Sequence, residues 1–137
     1  MLTELKQIIA TANPDYQVEY EEASMMNIMA DEIKRDQPWA YIEEFVQGSY
    51  GKKFGQNKTT QVQIYFCRFT EMQNTAEQRE AIRAQIEAEI VLPFMEKYNA
   101  SGLFSTVDVF KFFTPLPRFD ANEVSIMLQF DCTQKIC

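Results

Sequence analysis

Residues 118–137 read RFDANEVSIMLQFDCTQKIC, and their centre alternates without interruption. Val124, Ile126, Leu128, Phe130 and Cys132 fall on one face of an extended strand. Glu123, Ser125, Met127, Gln129 and Asp131 fall on the other. Such a strand needs a core on its apolar side and tolerates water, or a partner, on its polar side. The rest of the chain must therefore supply neighbouring strands and a cover for one face.

Working outward, LFSTVDVFKFF (103–113) predicts a strand with Val107 and Val109 on one face and Phe110 and Phe112 on the other. Pro115 and Pro117 break it, and Asp120, Ala121 and Asn122 form a turn into the closing strand. So short a connection makes the last two strands antiparallel neighbours. The cover comes from NTAEQREAIRAQIEAEIVLPFMEKYNASG (74–102), in which Thr75 and Gln78 form a capping box. Its apolar stripe is Ile82, Ile86, Ile90 and Phe94, joined by Val91, Met95 and Tyr98. Pro93 has no N–H to donate back to Glu89, so a kink or an early end is expected there.

The first part of the chain adds a short helix and two further strands. Leu2, Leu5, Ile8, Ile9 and Ala12 recur at helical spacing, with Thr3 as a cap and Asn13-Pro14 as a stop. YQVEYEE (16–22) and WAYIEEF (39–45) alternate as strands. TQVQIYFCRFTEM (60–72) is apolar on both faces, with Val62, Ile64 and Phe66 against Tyr65, Cys67 and Phe69, so it is expected to be central or covered by another chain. Between them, VQGSYGKKFGQNKTT (46–60) is rich in turn residues and reads as a hairpin connection or flap. Residues 23–37 read as a helix or loop over the core, with Met25, Met29 and Ile33 on one stripe. The order α-β-(α)-β-β-α-β-β predicts a single α+β domain over 1–137. Its sheet has four to five strands, antiparallel or mixed, with one long helix and a short N-terminal helix packed on it.

Composition narrows the function. The chain has 137 residues, 46% of them apolar, which is enough for one core. No apolar run approaches the roughly 20 residues of a membrane span, and the N-terminus lacks the basic and apolar regions of a secretory signal. A cytoplasmic site of synthesis and assembly is expected. Twenty acidic against 13 basic residues leave a net charge of −7, which argues against phosphate-backbone binding and suits solubility or a basic partner. Cys67, Cys132 and Cys137 match no metal spacing, and the first two read as small buried hydrophobes.

The usual chemical constellations do not assemble. There is no histidine, the commonest general base and metal ligand. No G-x-S-x-G elbow is present, and Gly48, Gly51 and Gly55 lack P-loop spacing. Glu43 and Glu44 point to opposite strand faces, while Glu19 and Glu21 share a solvated one. Asp120–Glu123 lacks the glycine and distant glutamate of a calcium loop. No catalytic, metal-binding or cofactor-binding residue is assigned, and an enzyme is not expected. Function is expected in surfaces: the flap lysines Lys52, Lys53 and Lys58 as a local docking contact, and Met127, Phe110 and Phe112 as apolar contact points. One main helix cannot cover two apolar sheet faces, and uncovered strands favour self-assembly. On this reading Met127→Lys should disturb assembly more than folding.

The size, the flap between strands, the capped helix after residue 75 and the strand–turn–strand ending on FDANEVSIMLQF give a layout that resembles the tail-terminator or tail-completion proteins of long-tailed phages and prophages. The resemblance spans nearly the whole chain and rests on layout, since no signature motif is involved. It implies a ring of identical subunits, often six, on the end of the tail tube. That ring would stop tube growth and present a surface to the head connector. Nucleic acid would be met only incidentally in the ring lumen, and the protein would end in the virion. A second resemblance is to small, acidic, dimeric type III secretion chaperones, from which the chain departs by having no helix after its last strand. An acidic immunity protein that complements a basic nuclease is a third reading.

Overall fold

The computed structural model of the protein describes residues 1–21, 37–52, 56–69, 75–115 and 123–135. Among the described residues the fold is α+β, a six-stranded mixed sheet with two helices, one short and one long. The strands are β1 (Gln17–Glu21), β2 (Trp39–Glu43), β3 (Gly48–Gly51), β4 (Asn57–Phe69), β5 (Lys111–Phe113) and β6 (Glu123–Lys135). Their order is β1-β2-β4-β6-β5, with β3 also paired to β4, beside its first residues. β1 runs parallel to β2, and every other pairing is antiparallel. The expected helix-or-loop over 23–37 with its Met25–Met29 stripe, and the turn at 120–122, lie outside the described residues.

The sheet is built on one pairing. β4 and β6, 13 residues each, are matched along their full length from Asn57↔Lys135 to Phe69↔Glu123. Their even-numbered residues make a single apolar face: Val62, Ile64 and Phe66 from β4, and Val124, Ile126, Leu128, Phe130 and Cys132 from β6. Both helices cover that face. α1 (Leu2–Ala12) contributes Leu5, Ile8 and Ile9. It carries Met1 at its N-cap, so Thr3 lies inside the helix rather than capping it. The long helix begins at the Thr75–Gln78 capping box, in which both reciprocal hydrogen bonds are present.

The long helix does not break at Pro93. It runs as α2 (Ala76–Ile86), a π turn (Glu87–Val91) and α3 (Leu92–Ala100). Its stripe supplies the reason. Ile82, Ile86, Ile90, Phe94 and Tyr98 recur in steps of four, and in a regular α-helix each such step drifts about 40° around the axis. A π turn absorbs an extra residue and returns the stripe to the core. Ile86, Ile90, Phe94 and Tyr98 are all buried in consequence. Phe94 sits at the centre of an aromatic cluster, with ring centroids 5.7 Å from Phe66, 5.9 Å from Tyr98 and 5.9 Å from Phe130.

Two expectations need correction. Residues 104–110 are not strand, and β5 is only Lys111–Phe113. The segment instead packs its rings into the core end, with Phe104 stacked on Tyr98 at 5.4 Å and Phe110 4.9 Å from Phe130. The polar face of β6 is also less open than expected. Glu123 and Ser125 are each only 2% exposed. The odd-numbered side of the sheet carries a second apolar cluster, Trp39, Tyr41, Tyr65 and Cys67, with Met127 and Phe69 packed against it. Toward the other end of the same face the residues turn polar, with Gln63 beside Gln129 and a Thr59–Thr133 hydroxyl pair at 2.9 Å.

Phe94→Ala should lower stability by about 3–5 kcal/mol. The check is a urea titration in which the midpoint falls while the slope is unchanged; a midpoint within 1 kcal/mol of wild type, as estimated from that slope, would mean that the cluster does not organise the core.

Candidate interaction surfaces and a polar lock

The first surface is the flap. After β2 the chain leaves the sheet at Glu44, and Gln47 returns it by accepting a hydrogen bond from the Gln61 N–H. β3 then pairs Tyr50 with Lys58 and Gly51 with Asn57. Gly48 is required by closeness rather than by its dihedral angle, since a Cβ there would come within 2.3 Å of the Thr59 carbonyl oxygen. All four residues of β3 are exposed. Val46 and Tyr50 stand out from it at 84% and 75% exposure. The pairing brings Lys52 and Lys58 to the same end of the flap, while Lys53 lies outside the described residues. Beneath the flap is an open groove of about 410 Å³, lined in part by Met1, Tyr20, Phe45, Tyr50 and Lys58.

The second surface is the opposite flank of the sheet. Phe112 faces Leu128 across the ladder and Phe113 faces Met127. Phe112 is 69% exposed, Phe113 47% and Val109 72%. The six proposed contact residues therefore separate. Phe112 stands free at this edge. Phe110 is half-buried against Tyr98 and Phe130 and helps to hold the edge in place. Met127 is half-buried against the Trp39 cluster, so lysine at that position would disturb folding as well as any contact. Val46, Tyr50, Val109 and Phe113 were not singled out from the sequence. Their type is ordinary for a strand or loop, and only the three-dimensional placement exposes them.

A polar lock sits at the rim of the helix-covered face, centred on Glu89 in the π turn. Pro93 offers no N–H to the Glu89 carbonyl, and the Asn13 side-chain amide donates to it at 3.0 Å. The Glu89 carboxylate accepts from the Tyr16 hydroxyl at 2.7 Å and from Arg68 Nε at 2.5 Å. Asn13 is also the C-cap of α1, and its side-chain oxygen accepts from the Asp15 N–H. The lock thus ties the end of α1, the π turn and the end of β4 together. Partial burial would raise the Glu89 carboxyl, but hydrogen bonds from Arg68 and Tyr16 outweigh it and hold the group below its usual value. Burial, reinforced by Glu89, raises the Tyr16 hydroxyl well beyond its ordinary value. A carboxylate kept ionised by a guanidinium, beside a phenol kept protonated, is suited to holding structure and poorly matched to moving protons near neutrality. The signal for this lock in the sequence was the proline within a stripe of four-residue steps.

Among the described residues no group of His, Cys, Asp and Glu is placed to hold a metal ion, and no helix is long and apolar enough to cross a membrane. Compared with known proteins, the chain matches no protein-family model and no curated sequence.

Two measurements test the lock. In a double-mutant cycle, Asn13→Ala should cost about 1 kcal/mol in the wild type and clearly less in Pro93→Ala, whose restored N–H can serve the Glu89 carbonyl; equal costs would separate Asn13 from the proline. The second is acid denaturation. With Glu89 held low in the folded chain, its contribution is complete above the unfolded value of about 4.3 and fades as pH falls through the folded one. Glu89→Gln should therefore lose about 1 kcal/mol at pH 7, a figure kept small because the side chain is still partly wet. The variant's disadvantage should shrink below pH 4.

Proposed function

We propose that this chain is a structural phage or prophage protein, a tail-completion or tail-terminator subunit that assembles as a ring on the end of the tail tube and caps its growth. The observation that carries the reading is the position of the exposed large apolar side chains. Five of the seven among the described residues gather at two different flanks of one sheet, Val46 and Tyr50 at the flap and Val109, Phe112 and Phe113 at β5, while Leu92 lies on the long helix and Leu103 just after it. Closed rings need two unlike surfaces on each subunit, because each copy contacts one neighbour with the first and the other neighbour with the second. Scattered single apolar residues would carry no such meaning, but paired clusters at sheet edges mark contact sites. The layout of helices, flap and closing strand described from the sequence supports the same reading.

On this proposal the partners are further copies of the chain, together with tail-tube or head-connector protein. The work is done by surfaces and involves no cofactor. Nucleic acid is met at most in passing through the lumen, as suits a chain of net charge −7. The protein is made and assembled in the cytoplasm and leaves in the virion.

The test is solution mass by light scattering over a concentration series, with negative-stain images of the largest species. Closed rings of about six copies are expected. A tight dimer at every concentration would replace this reading with the secretion chaperone, and a monomer that also fails to bind tail-tube protein would reject it.

A further inference from the structure

We infer that the groove beneath the flap is a binding site for a small molecule that joins an aromatic ring to a carboxylate. The inference goes beyond the assembly reading and does not depend on it. Three features of the groove carry it.

The first is an unmatched hydroxyl. Thr60 lines the groove and is only 4% exposed, yet its hydroxyl has no hydrogen-bond partner among the described residues. The neighbouring Thr59 hydroxyl, by contrast, is paired with Thr133. Thr60 lies in the even register of β4, on the side where Met1, Tyr20 and Phe45 pack against the core and where they too line the groove. Its ladder partners are Gly48 and Cys132. Glycine has no side chain with which to cover or satisfy the hydroxyl, and Gly48 lines the same groove. A buried hydroxyl left unpaired lowers stability, and a ligand oxygen placed there removes that penalty.

The second is charge. Lys58 stands two positions from Thr60 in β4 and so shares its face. Among the described residues that line the groove, Lys58 has the one charged side chain. Met1 lines it too, but its amino group is already paired with Glu4 at 2.7 Å. Glu43 and Glu44 precede Phe45 in the chain, but neither lines the groove, nor does any other carboxylate of the described residues. An ammonium beside an unpaired hydroxyl offers donors to the two oxygens of one carboxylate.

The third is the apolar lining. The rings of Tyr20 and Phe45 lie 4.9 Å apart, and the Tyr20 hydroxyl accepts from the Phe45 N–H, which holds the pair in place. Tyr50, opposite Lys58 in the ladder, adds a third ring. Such rings favour a flat apolar partner. The volume, about 410 Å³, falls in the range of small-molecule sites, roughly 300–1,000 Å³.

The experiment is calorimetric titration of the full-length chain with 3-phenylpropionate and, in parallel, with its uncharged amide. The acid should bind saturably with one site per chain, and the amide about tenfold more weakly or worse. Lys58→Met should bring the acid down to the level of the amide. Thr60→Val keeps the shape of the side chain and removes the unpaired hydroxyl. It should therefore raise the urea midpoint of the free chain and weaken binding of the acid several-fold, a split that a purely structural threonine would not produce. Absence of saturable binding overturns the inference. Equal affinity for acid and amide, or for wild type and Lys58→Met, means adsorption to exposed apolar side chains and overturns it as well. Thr60→Val that binds the acid as tightly as wild type removes the hydroxyl from the site and does the same.

Discussion

The full-length ladder between β4 and β6 is the constraint on which the rest of the structure depends. Once Ile64 is set opposite Leu128, the side-chain period of two decides the face of every other residue along both strands. A slip of one position would turn Val62, Ile64 and Phe66 away from the helices and bring Gln61, Gln63 and Tyr65 toward them. The two helices, the flap and the short edge strand all attach to this pair or to something it positions. β3 lies beside the first residues of β4, β2 beside later ones, and β5 beside the middle of β6. The exposed flanks are set by strands that do not reach as far as the ladder does.

Much of this was legible in the sequence because period-two and helical patterns are local. The faces of β4 and β6, the capping box at Thr75 and the adjacency of the last two strands are all found as read. The misreadings have physical causes of a different range. Residues 104–110 alternate like a strand, but their aromatic rings gain more from Tyr98 and Phe130 than from ladder hydrogen bonds. Pro93 reads as a break, yet a wider turn and the side chain of Asn13, 76 positions from Glu89, supply what the helix lacks. Glu123 and Ser125 read as solvent-facing because nothing in their neighbourhood reveals the aromatic cluster on the same face. The parallel pairing of β1 with β2 is likewise a long-range property.

The candidate surfaces were only half legible for the same reason. The flap announced itself by its glycines and lysines, and β5 by its phenylalanines. The division of labour among those residues was not readable. Phe110 and Phe112 look equivalent in the sequence, but one braces the edge from inside and the other stands outside it. Met127 occupies the polar register of its strand but belongs to an apolar cluster. Polarity by register is a statement about neighbours along one strand, whereas exposure depends on what the next strands place alongside.

The two buried cysteines add a practical consequence. Cys67 lies in β4 on the Trp39 side of the sheet, and Cys132 lies in β6 on the helix side. Burial, with a smaller contribution from the nearby Glu123 carboxylate, raises the Cys67 thiol well above its usual value, and burial raises Cys132 too. In the closed fold both are therefore shielded and almost wholly in the unreactive thiol form. An alkylating reagent can reach either one only through a transient opening. The chain thus carries two built-in clocks, one for each side of its central pair of strands. Their relative rates would reveal whether the two layers breathe together or one at a time.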